Sequence, residues 1–173
     1  MTGAVPDHFA LFDLPRRFAI DGNEMERRFH ELQSKVHPDK HAHLGDGERL
    51  LAMQRATDAN AAFQTLKNPL QRATYLLHLA GHDVSAGNNT AMPTDFLIEQ
   101  MELREAVGEA RDETTLGHLR TDLKLRMEAQ YGSLETMLDQ RQDYTAAADM
   151  VRRLMFQEKL LEGIDNALEA IEA

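Results

Sequence analysis

Met25, Phe29, Leu32 and Val36 recur at steps of four, three and four residues, the period of one face of an α-helix. Asp21, three residues ahead of Glu24, supplies the N-terminal capping signal for that helix. Pro38 lacks a backbone donor and disfavours helical dihedrals at His37, so the helix ends there and a polar loop, HPDKHAHLGDG, begins. Upstream, Asp7 precedes Phe9, Leu11, Phe12 and Leu14, a short first helix stopped by Pro15. Downstream, Leu50, Met53, Ala56, Asn60, Phe63 and Leu66 predict a helix from Asp46 to the Asn68-Pro69 break, and PLQRATYLLHLAG predicts another that closes at Gly81.

Residues 82–92 are rich in Gly and Asn, which predicts a linker between a domain at 1–81 and a second at 93–173. Three helical patterns follow, at about 94–111, 113–140 and 144–171. The first carries Phe96, Leu103, Val107 and Ala110. The second carries Leu116, Leu119, Leu123, Met127, Tyr131, Leu134 and Leu138, and the third Tyr144, Ala147, Val151, Leu154, Leu161, Ile164, Leu168 and Ile171. Short connections make neighbours antiparallel, so the expected fold is all-α: a helical hairpin with its connecting loop, then an antiparallel three-helix bundle.

Composition narrows the chemistry. The 173 residues contain no Cys, which excludes disulfides, a thiol nucleophile and thiolate-held zinc or iron-sulfur clusters within this chain. No apolar run approaches the roughly 18 residues of a membrane span, and the first residues lack a signal-peptide pattern, so the expectation is a cytoplasmic protein with no membrane partner. Net charge is −10. Residues 1–80 hold 10 basic and 10 acidic side chains and residues 81–173 hold 9 and 19, so the acidic excess sits in the second half, where it repels nucleic acid and suits a basic protein partner. There is no glycine-rich phosphate loop and no serine elbow, so neither an intrinsic ATPase nor a serine hydrolase is expected. His37, His41 and His43 share one loop, and His78 and His82 stand four apart, but no carboxylate cluster accompanies either group at ligand spacing; no metal and no cofactor are expected.

The most distinctive feature is His37-Pro38-Asp39, between two amphipathic helices and preceded by Arg27, Arg28 and Lys35 on a face away from the apolar stripe. This layout resembles the J-domain co-chaperones, which stimulate ATP hydrolysis by DnaK-type chaperones. DHFALFDLPRRFAID, HPDKHA, NAAFQTLKNPLQRATYLL and FLIEQMELRE, in that order, narrow the resemblance to the HscB family of iron-sulfur cluster biogenesis, of bacterial type, with His8 standing where an aromatic residue is expected.

The resemblance implies that residues 1–81 are a J-domain and that His37, Pro38, Asp39, Arg27, Arg28 and Lys35 engage an HscA-type ATPase. It also implies that the bundle binds the scaffold protein IscU. On a helical wheel Leu97, Ile98 and Met101 lie about 100° to 200° from Phe96, beside Glu102 and Glu105, and Phe156 lies about 200° off its own seam. These six residues form the expected scaffold-binding patch, with secondary core packing as the alternative. Rival functions are a general J-protein for misfolded clients and a metal-dependent hydrolase using the histidine loop.

Overall fold

A computed structural model describes residues 6–84 and 92–173. Those residues form helices and turns and no strand. The elements are α1 (His8–Leu11), α2 (Gly22–Val36), a 3-10 turn (Pro38–His41), α3 (Asp46–Lys67), α4 (Pro69–Leu79), α5 (Thr94–Glu109), α6 (Glu113–Glu135), a π-turn (Thr136–Gln140) and α7 (Tyr144–Glu172). Packing divides the chain into two compact units, Met1–Leu76 and Leu77–Ala173, so the division falls within α4. Of the expected linker, residues 85–91 lie outside the described residues.

In the first unit the caps are those the sequence calls for. The Asp7 carboxylate accepts the Ala10 N–H at 2.9 Å, and that of Asp21 accepts the N–H groups of Asn23 and Glu24 at 3.0 and 3.2 Å. α2 buries Met25, Phe29 and Val36.

α3 exists as expected, but its buried face differs in part. Leu50 and Met53 are 66% and 56% exposed and Asn60 is exposed; of the expected stripe Leu66 is buried, and Ala52, Ala59 and Ala62 join it in the core. Both α1 and α2 pack on α3, and alanines let the backbones approach closely where leucines would hold them apart. Phe63 lies at the edge of this seam, stacked on Phe29 with centroids 4.1 Å apart. Arg72 fastens α4 to the rest, donating to the carbonyls of Phe18 at 2.8 Å and Leu66 at 2.7 Å while its guanidinium covers the Phe18 ring.

The second unit is the three-helix bundle. Glu99 near the start of α5 pairs with Arg126 late in α6, and Arg120 early in α6 pairs with Asp165 late in α7, which makes successive helices antiparallel. α6 follows its pattern in burying Leu116, Leu123, Met127 and Leu134, but beyond Glu135 it widens into the π-turn. There the Arg141 N–H reaches back to Thr136 O and Leu138 stays buried.

Two expected stripes are corrected. On α5 the fully buried positions are Phe96 and Gln100, with Leu103, Val107 and Ala110 half-buried. On α7 the seam runs Ala147, Val151, Leu154, Gln157, Leu160, Ile164, whereas Leu161 and Leu168 are half-buried and Ile171 is 40% exposed. The steps of three around Gln157 and Leu160 rotate the seam around the helix, as in supercoiled packing, so the expected stripe holds at Ala147, Val151, Leu154 and Ile164 but misses Gln157 and Leu160.

Candidate functional site

α2 ends at His37, whose extended dihedrals turn the chain into the 3-10 turn. The His37 ring caps that turn: Nδ1 accepts the Asp39 backbone N–H at 3.2 Å, and the Lys40 N–H closes it on His37 O at 3.0 Å. The Asp39 side chain is 92% exposed and among the described residues meets only the His37 ring, at 3.6 Å. A carboxylate is thus fixed by its backbone and left open to a partner. Pro38 begins the turn; its side chain and that of His41 lie outside the described ones.

Of the three basic residues on α2, Arg27 and Lys35 are exposed and Arg28 is turned inward. Arg28 donates to Glu24 Oε1 at 2.7 Å and to the carbonyls of Phe12, at 3.0 Å, and Asp13, and so ties down the end of α1. Asp13, at φ 53°, is the left-handed residue that ends α1. Arg27 lies 3.2 Å from Glu24 and 3.7 Å from Glu31, and His30 lies 3.7 Å from Glu26. The exposed face of α2 therefore alternates in charge, and its basic character is concentrated near Lys35 and Lys40. The Lys40 Nζ donates to Ser34 Oγ at 3.2 Å.

The second surface lies on the bundle. Ile98 and Met101 are 49% and 69% exposed, Glu102 and Glu105 are exposed beside them, and Leu97 and Phe156 are half-buried. Phe156 and buried Phe96 form a T-shaped pair, with centroids 6.0 Å apart and planes at 79°, so one aromatic contact links α5 to α7 under the patch.

Residues 92–165 match the family model described as the HSCB C-terminal oligomerisation domain. The chain is 53% identical over 170 residues to the co-chaperone protein HscB homolog of Aromatoleum aromaticum, covering 96% of each. The chain belongs to the HscB co-chaperone family. The chaperone HscB structure from Vibrio cholerae aligns with a TM-score of 0.85 at 35% identity, covering 96% of this chain and 99% of that one. The human co-chaperone HscB structure aligns with a TM-score of 0.91 at 27% identity, covering 99% and 85%.

Within this HscB fold, several features escaped sequence reasoning. His8 fills the expected aromatic position as an aromatic, its ring stacked on Tyr75 at 4.3 Å. Burial holds the His8 imidazole below the usual histidine range, against the opposing pull of Asp7 and Asp58. Leu50, Leu51 and Met53 leave an apolar surface on the first half of α3, the helix that also packs on the 3-10 turn. Gln100 and Gln157 are buried in the bundle, with both amide atoms of Gln100 and the Gln157 Oε1 unpartnered. Among the described residues no group of three or more His, Asp or Glu is arranged to hold a metal ion, and no helix is long and apolar enough to cross a membrane.

Proposed function

We propose that the chain stimulates the ATPase of an HscA/DnaK-type chaperone through its J-domain and delivers an IscU-type iron-sulfur scaffold to it on the bundle. The observation that carries this reading is the Asp39 carboxylate, 92% exposed and aimed by a turn that His37 caps. Such a carboxylate can pair with a basic group on the chaperone and bias it toward a hydrolysis-competent state, so no proton transfer by His37 is required. Arg27 and Lys35 supply cations on the approach from α2, and Arg28 acts indirectly by bracing α1 against it. The reaction itself belongs to the chaperone, and this chain is not an enzyme. With no cysteine of its own it handles the cluster only through the scaffold.

The patch of Leu97, Ile98, Met101 and Phe156, rimmed by Glu102 and Glu105, suits a partner with an apolar centre and basic surroundings. The test is single-turnover ATP hydrolysis by an HscA-type chaperone with this chain, the scaffold, or both. Stimulation by the chain and further stimulation by both together is the expected result; no stimulation by the chain in either setting refutes the reading. Equal stimulation with unfolded polypeptides in place of scaffold favours a general J-protein.

A further inference from the structure

Arg153 stands on α7 one turn before Phe156, and its guanidinium lies over the Phe96 ring, 5.1 Å from the centroid. Phe96 thus meets both the Phe156 ring, at a near-perpendicular angle, and the Arg153 guanidinium, while itself only 5% exposed. A guanidinium held against a ring is positioned without using its N–H donors on a carboxylate, so those donors remain for another group. Among the described residues Arg153 has no carboxylate within ion-pair distance. Arg120, Arg126 and Arg152 of the same half pair with Asp165, Glu99 and Asp149, whereas the contact of Arg153 is with an aromatic ring. Arg153 is also half-buried, so its position is set by packing.

We propose that Arg153 is a partner-facing residue of the bundle surface, where its guanidinium, held over Phe96, receives a carboxylate of the bound scaffold. The inference rests on the scaffold-binding reading above and adds a specificity element to it. Acidic Glu102 and Glu105 select basic groups on one part of the partner, and Arg153 selects an acidic group on another. A scaffold docked in the wrong orientation would then meet like charges at both ends.

The experiment is calorimetric titration of the full chain with an IscU-type scaffold, using Arg153→Met, Arg153→Glu, Arg153→Lys and, as a control, Phe156→Ala, each with a thermal melt. Arg153→Met keeps the aliphatic stem over Phe96 and removes the cation. It is expected to melt like the parent and bind about tenfold more weakly, with Arg153→Glu weaker still and Arg153→Lys recovering part of the loss. Neutralising scaffold carboxylates one at a time should reveal one whose loss weakens binding to the parent chain but not to Arg153→Met. Parent-like binding by both Arg153→Met and Arg153→Glu, with Phe156→Ala impaired, overturns the proposal and leaves Arg153 as packing for Phe96. Parent-like binding by Phe156→Ala overturns the surface itself and, with it, the role of Arg153.

Discussion

The Nδ1 atom of His37 accepts the backbone N–H of Asp39 at 3.2 Å, so the first residue of the motif caps the turn that presents the last. The two are coupled through backbone geometry, and their side chains lie in the solvent-facing part of the turn, with 58% and 92% exposed. Asp39→Asn, at an exposed side chain, should leave melting within about 0.5 kcal/mol of the parent, and His37→Gln, which removes the cap of a four-residue turn but no core contact, should cost about 1 kcal/mol or less and keep the helical content. Stimulation of the chaperone ATPase should be lost in both. Circular dichroism melts beside single-turnover hydrolysis decide it, and two folded variants that still stimulate would remove the role assigned to the turn.

Arg27 and Arg28 are sequence neighbours with different work. Arg28→Ala removes donors to the Phe12 and Asp13 carbonyls and to Glu24, and should destabilise the first unit by about 1–3 kcal/mol in urea denaturation. Arg27→Ala, which breaks only exposed helix-surface pairs, should cost about 0.5 kcal/mol or less. Equal losses would contradict the inward assignment of Arg28.

The buried alanines of α3 make a sharper test than its leucines. Ala59→Leu and Ala62→Leu insert volume where both residues are fully buried, and should each cost about 1–3 kcal/mol or more. Leu50→Ser should stay within about 0.5 kcal/mol, because that side chain is already in solvent. Denaturant midpoints of the three variants give the comparison.

Gln157 occupies a seam position with an unpartnered, fully buried amide oxygen. Replacing it with Leu removes the unsatisfied acceptor without a large volume change, and should stabilise the bundle by about 1 kcal/mol. A lower melting temperature for Gln157→Leu would mean that the amide makes an interaction in solution that compensates its burial.

His8 gives the first unit a pH response. Its folded-state affinity for a proton is lowered by burial, so unfolding takes up protons at this site in the window below the unfolded-state value of about 6.5. Stability should therefore be unaffected by His8 above that value and fall as the pH drops below it. His8→Phe, which keeps the ring against Tyr75 and cannot titrate, should reduce the acid-side slope of stability against pH. An unchanged slope would show that His8 contributes nothing to it.

Much of this protein is determined by local chemistry, and that much is legible in the linear chain. Asp7 and Asp21 cap the helices they precede, Pro38 stops α2, and the period of Met25, Phe29 and Val36 sets its buried face. Each of these depends on residues within a turn or two of one another. Tertiary packing decided the rest. Which face of α3 is inside depends on how closely α1 and α2 approach, and that favours the small side chains of Ala59 and Ala62 over Leu50 and Met53. The fate of Arg28 depends on two carbonyls more than a dozen residues upstream, and that of Arg153 on the Phe96 ring on another helix, so neither is visible in the neighbouring sequence. On α7 the rotation of the seam places Gln157 inside and Ile171 outside, because burial follows the path of α7 around its neighbours, and a wheel drawn for a straight, isolated helix has no access to that path.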